Sequence, residues 1–302
     1  MTTALELINA VQDELGIARS SSIANTGDRT AVQMLALMNR TGSMISSETD
    51  YQFLAAENRF QTVVYTYTGD TVAGSKIVSN LSSVVGLSAD FMVVGTGIQT
   101  DTFITPLSPS SITLSIPASE TGTGVTLTFG QAKYPVPDDY NRLENDTIFN
   151  KSNRWAVLGP KSPQEWQWIK SSYVTAGPMM RFRIMGNALT LWPMPSVVLT
   201  IGYEYVSKNW ALSAGGTGQS KLILDTDTSY LPDNLLILGC KYRFLSAKEL
   251  NNASEFEEFN RELIKFKGQN SGADKLNLAP RAADRLLTTS NLPDSGFGSA
   301  RL

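Results

Sequence analysis

Between residues 61 and 130 the chain carries only five charged side chains, set among 23 Ser/Thr and eight Gly, and no Arg. An amphipathic helix needs a charged or long polar outer face, so a stretch this poor in them excludes surface helices. Its apolar residues come in short bursts: Ile77-Val78, Phe91 to Val94, Thr102 to Ile104, Ile112 to Leu114 and Val125 to Leu127. β-branched bursts separated by Gly, Ser, Pro and Asp predict a small antiparallel β-sandwich or barrel.

On either side the period becomes helical. Ala4, Ile8, Val11 and Leu15 share one face, with Thr2 or Thr3 as cap and Glu6 placed for a capping box with Thr3. Asp28 caps a second helix through Ala31, Leu35, Met38 and Ile45, in which Gly42 reads as a weak point near the end. Leu235, Leu238, Tyr242 and Leu245, then Phe256, Phe259, Leu263 and Phe266, predict helices over about 232–250 and 253–267. Between these regions, Ser162 and Pro163 open a short helix over 162–171. Gly186-Asn187 turns a hairpin between Arg181–Ile184 and Ala188–Trp192, Val197–Val206 supplies a third strand, and 213–219 reads as a flexible loop. The expected fold is α+β: a bundle of the N- and C-terminal helices, a β-sheet region and an inserted small antiparallel β-sandwich or barrel. The expected divisions are 1–60 for the N-terminal helices, 61–130 for the β module, 131–231 for the mixed region, 232–270 for the helical pair and 271–302 for an extended arm.

Several chemistries are excluded. The chain has no His, which removes Ser-His-Asp and Cys-His catalysis and ordinary zinc sites. Its single Cys, Cys240, lies in an apolar run that reads as buried core, so no redox role follows. No cofactor and no metal are expected. With 25 Lys+Arg against 28 Asp+Glu the formal charge is -3. That total provides no strongly basic field for nucleic acid, though it would hide a basic patch on one face. No apolar run is long enough to span a membrane, and Glu6, Asp13 and Glu14 argue against a secretory signal, so a soluble protein made in a cytoplasm is expected.

Some segments imitate chemistry. Gly215 to Lys221 lacks the Gly-Lys-Ser/Thr order of a phosphate loop, and Gly95-Thr96-Gly97 lacks the third glycine of a dinucleotide fingerprint. Leu222 to Thr228, with Asp225 and Asp227, resembles the first motif of haloacid-dehalogenase phosphatases. Too little chain follows it to build such an enzyme. The structural alternative is that Asp227, Thr228 or Ser229 caps the helix entered at Pro232. Asp138-Asp139 and Glu144-Asp146 read as solvated loop acids rather than a cation site. Trp155, Trp166, Trp168 and Trp192 offer either packing or stacking surfaces.

From Ser271 onward the apolar positions are scattered: Leu276, Leu278, Leu286, Leu287, Leu292 and Phe297, with Pro280-Arg281 among them. This composition reads either as a disordered tail or as an arm that orders along a partner.

Tyr134-Pro-Val-Pro-Asp-Asp-Tyr, Asp146-Thr-Ile-Phe-Asn and Gly159-Pro-Lys-Ser-Pro-Gln-Glu-Trp resemble the middle of phage head-to-tail adaptor proteins, the group that includes tail tubular protein A of short-tailed phages. Asp225-Thr-Asp-Thr, Leu231-Pro232, Leu238-Gly239 and Lys241-Tyr242-Arg243 are similar to the passage into the last helical pair of those proteins. The low-charge segment, with Gly69-Asp70, Gly74 to Val78, Gly86-Leu87, Val93 to Ile98 and Thr121 to Gly130, is similar to a small β module of phage structural proteins. The combined resemblance covers residues 1 to about 270.

The resemblance implies a non-enzymatic virion protein made in the host cytoplasm and placed at the phage neck as a head-tail connector. It implies a ring, commonly a dodecamer, between the portal protein and the tail nozzle or tube. Genome DNA would pass through the ring during ejection without sequence-specific binding, and no membrane would be involved. The tail beyond residue 271 is outside that resemblance; the reading of it as an arm that orders along a partner makes Leu276, Leu278, Pro280, Arg281, Leu286, Leu287, Leu292 and Phe297 the candidates for portal binding. The alternative from another class is a glycan- or cell-surface-binding tail module.

Overall fold

The computed structural model describes residues 2–24, 26–159, 161–171 and 180–270. The chain begins with α1 (Ala4–Leu15), α2 (Arg29–Glu48), a 3-10 turn (Gln52–Leu54) and β1 (Ala55–Gln61). Six strands follow: β2 (Val64–Thr71), β3 (Ile77–Val78), β4 (Met92–Gly95), β5 (Ile104–Ser108), β6 (Ser111–Leu114) and β7 (Gly122–Gly130). Next come β8 (Lys133–Pro135), β9 (Tyr140–Leu143), β10 (Phe149–Asn150), β11 (Trp155–Ala156) and α3 (Pro163–Lys170). The remainder is β12 (Arg181–Met185), β13 (Ala188–Trp192), β14 (Thr200–Ser207), β15 (Ala211–Leu212), β16 (Gly218–Gln219), β17 (Thr228–Ser229), α4 (Asp233–Ala247) and α5 (Ala253–Asn270). No described helix is long and apolar enough to cross a membrane.

The described residues form two units, both discontinuous in sequence. The first unit holds α1, α2, α4, α5, β9, the end of β14 and β15 to β17. Its helices start where local chemistry dictates. Thr3 and Glu6 form a reciprocal capping box on α1, and the Asp28 carboxylate accepts from the Thr30 N–H at the start of α2. Helix α4 touches α1, α2 and α5. Leu7, Ile8 and Val11, Met34, Met38 and Ile45, Leu235, Leu236 and Cys240, and Phe259 and Leu263 share one core with Trp210.

A single apolar stripe was expected on α4, through Leu235, Leu238, Tyr242 and Leu245. With helices on several sides, Leu236, Gly239, Cys240 and Phe244 are buried as well, and Tyr242 is only partly so, its ring edge-on to Phe256 and tilted against Phe259. Gly42 is also more than a weak point. A Cβ there would overlap the ring of the fully buried Trp210, so the glycine is what lets α2 and that ring approach. Gly239 plays the same part toward Thr41 of α2.

In the second unit the low-charge segment forms two three-stranded antiparallel sheets, β2-β7-β4 and β3-β6-β5. Val93, Leu127 and Phe129 of one sheet and Val78, Ile104, Ile112 and Leu114 of the other meet in a common core. No described sheet closes into a barrel. Val64 lies opposite Gly130, so the segment enters and leaves on neighbouring strands.

Ser162 caps α3 with Pro163 in its first turn, as expected. The β12–β13 hairpin turns on Gly186 and Asn187, with φ of 55° and 63°, the signature of a type I′ turn. The third strand of that sheet is β8, paired through Leu189 and Tyr134, and not the expected 197–206 segment. Pro193 and Pro195 follow β13 and take the chain out of the ladder, because neither can donate a hydrogen bond to it. Strand β14 instead lies between β1 and β10, with β11 beyond. Residues 213–219 are likewise more than a loop, since Gly218 and Gln219 return to pair with Leu212 and Ala211 in the first unit.

Candidate interaction surfaces

The eight positions expected to bind a portal, Leu276, Leu278, Pro280, Arg281, Leu286, Leu287, Leu292 and Phe297, lie outside the described residues. The expected cap residues are described, and they do something else. Helix α4 starts after Pro232 with no side-chain cap. The Asp227 carboxylate turns back and accepts from the Ile223 and Leu224 N–H groups at 2.7 and 2.8 Å, while Thr228 pairs in β17 with Leu212. Ser229 accepts from the Leu231 N–H.

Asp225 is equally committed. Its Oδ1 accepts from the Ile23 and Ala24 N–H groups at 2.8 and 2.9 Å. Burial pushes its carboxyl up, but bonds from the Ser22 hydroxyl and these two N–H groups outweigh that and hold it below the ordinary aspartate range. The backbone carbonyls of Asp227 and Asp225 also accept from the Ala4 and Leu5 N–H groups, at 2.7 and 3.1 Å. Those donors belong to the first turn of α1 and have no partner within the helix. The phosphatase-like motif is therefore a clamp that seats the start of α1. Asp139 is structural too: it accepts from the Tyr205 and Ser207 hydroxyls at 2.8 and 2.7 Å, joining the β9 region to the end of β14.

The tryptophans divide. Trp166 and Trp192 are buried with Met92, Ala132 and Met194, so neither offers a stacking face; Trp168, 71% exposed, does. In the first unit, apolar side chains reach the surface on separate elements. Phe256 and Ile264 do so on α5, Ile264 being 69% exposed, and Ile223 and Leu224 do so ahead of β17.

The first unit also holds a cleft of about 500 Å³ lined by Asn39, Arg40, Ser43, Ser46, Ser47, Asn141, Lys208, Ser220 and Lys221. Three cations face it and no carboxylate does. Composition could not show this cluster, because it is set against a net negative chain and assembled from four separate segments.

No curated protein is significantly similar to the sequence. A family model described as SU10 adaptor protein matches residues 2–284. The match takes in both helical regions, the low-charge β segment and, beyond the resemblance read to about residue 270, Leu276, Leu278, Pro280 and Arg281. With nearly its whole length covered, the chain belongs to the SU10 adaptor protein family of phage adaptors, structural components of the virion.

Proposed function

We propose that the protein is the head-to-tail connector of a phage virion: a ring, commonly of twelve copies, at the neck between the portal protein and the tail nozzle or tube, with genome DNA passing through its centre. The observation that carries this reading is the adaptor family match over residues 2–284. An adaptor joins portal and tail components and assembles with copies of itself. A closed ring needs a heterologous contact, in which one face of a subunit meets a different face of the next. The separate exposed apolar pairs, Phe256 with Ile264 and Ile223 with Leu224, support such an arrangement. The role is structural, and the acids that imitate a phosphatase are occupied as clamps.

The portal contact belongs in this reading to residues 271–302, where Leu276, Leu278, Pro280, Leu286, Leu287, Leu292 and Phe297 supply apolar side chains and Arg281 a cation. Truncation after Gln269 tests it. The shortened protein should lose co-sedimentation with portal rings while keeping the cooperative unfolding transition of the full chain. Undiminished portal affinity would remove the segment from the interface.

A further inference from the structure

The cationic cleft of the first unit has no part in the clamp or in the helical core. Its floor is one polar stripe of α2: Asn39, Arg40, Ser43, Ser46 and Ser47 lie at i, i+1, i+4, i+7 and i+8, which share a helix face. Lys208, just past β14, and Ser220-Lys221 close the other sides with Asn141 of β9. The placement of Lys221 is built. The Asn39 amide donates to the Leu222 carbonyl at 2.9 Å, and its oxygen accepts from the Leu222 N–H at 2.7 Å. One side chain thus grips the backbone next to Lys221 from both directions, on the turn of α2 that carries Arg40.

The charges around the cleft are unequally compensated. Arg142 pairs with Asp50 and donates to the Ser47 carbonyl, and Lys267 pairs with Glu48. Arg40, Lys208 and Lys221 form no ion pair among the described residues, and all three side chains are exposed. A cleft of about 580 Å³ in the second unit shows the contrast. There Glu57, Asp146 and Glu204 lie among Lys151 and Arg154, and Lys151 is paired with Glu57.

The lining also restricts the partner. A protein interface concentrates its binding in buried aromatic and aliphatic anchors, and this cleft is lined by none. Lys, Arg, Ser and Asn are the side chains that meet phosphate oxygens in nucleic-acid complexes. Here Arg40, Lys208 and Lys221 bring the charge, and because the Asn39 amide and the Ser46 and Ser47 hydroxyls already donate to backbone carbonyls, Ser43, Ser220 and Asn141 are the neutral donors left to the cleft. No aromatic face is present to stack a base and no fixed donor–acceptor pair reads one, so the contact would be indifferent to sequence. We propose that this cleft is a phosphate-binding site and that it takes the phosphodiester backbone of nucleic acid. The site lies within a single chain, so it stands or falls separately from ring assembly.

The test uses the full-length protein and a short fluorescent duplex of mixed sequence, read by anisotropy over a salt series. Three cations contacting phosphates give a log–log salt slope of about −2.7, which weakens binding about 40-fold between roughly 50 and 200 mM salt. Arg40→Gln, Lys208→Gln or Lys221→Gln alone should each flatten the slope by about 0.9. The triple variant should lose binding, Lys221→Arg should keep it, and Lys76→Gln, in the β module of the second unit, should leave it unchanged. Inorganic phosphate forms the second arm. If it raises the Tm of the wild type and not of the triple variant while the duplex fails to bind, the phosphate site stands with the free anion as its source. All three side chains are exposed and form no ion pair among the described residues, so the triple variant should keep wild-type dichroism. The proposal is overturned if neither duplex nor phosphate binds, or if the triple variant binds either one undiminished.

Discussion

Gly42→Ala should destabilise the protein although it replaces the poorer helix former by the best. On an open helix face this change stabilises by about 1 kcal/mol. At position 42 the new methyl would overlap three atoms of the Trp210 ring, which is rigid and 0% exposed, so it cannot swing aside as a flexible side chain would. Overfilling a packed core costs about 1–3 kcal/mol, and a rigid, enclosed neighbour puts this site in the upper half of that range. The net loss expected is about 1–2 kcal/mol once the propensity gain is subtracted. Trp210→Ala alone should cost about 3–5 kcal/mol as a buried aromatic is lost. In that background the methyl has room, and Gly42→Ala should turn stabilising by about 0.5–1 kcal/mol. The coupling between the two positions is then about 1.5–3 kcal/mol, a size seen only for residues in contact. Equilibrium urea unfolding followed by helical dichroism measures all four proteins, with an unchanged slope as the condition for comparing them. If Gly42→Ala stabilises the wild type by its propensity gain, the ring does not rest on that glycine and the packing argument fails.

Thr3→Ala removes one side of the capping box on α1 and should cost about 1 kcal/mol in the same assay. Asp225 has a folded pKa below its unfolded one, so its contribution is present above about pH 4 and is lost as pH falls through the depressed value. Asp225→Asn should therefore flatten the acid limb of stability against pH, and an unchanged limb would show that this carboxylate is not the group responsible. Burial pushes the Cys240 thiol up to about 12. A maleimide should label it only at the rate of unfolding; fast labelling in native buffer would mean that the α4 core is open.

What could be read from the sequence was whatever is settled within a few residues. The Thr3–Glu6 box, the Asp28 cap, the Ser162-Pro163 start of α3 and the Gly186-Asn187 turn each depend on neighbours in the chain, and each stands where it was expected. The β bursts became strands for the same reason, since their composition admits nothing else. Features that depend on remote partners escaped. Gly42 read as a defect because Trp210, which needs its missing side chain, lies far along the chain. Asp227 read as a cap because its position before a helix is suggestive, whereas its partners, the N–H groups of Ile223 and Leu224, lie in the turn behind it. Strand β14 read as the partner of β13 through nearness in sequence, until two prolines sent it to another sheet. The cationic cleft joins α2, β9 and residues 208 and 220–221, and a net charge of -3 conceals it entirely.

The most direct measurement of the central claim is electron microscopy of the protein in virions from its native source, where the portal and tail it assembles on are present. The account predicts a ring of copies, commonly twelve, at the neck around a DNA-sized channel, with the portal on one side and the tail nozzle or tube on the other. Density for the protein at a tail-fibre position, or a neck built without it, would contradict the account and turn attention to the glycan-binding alternative.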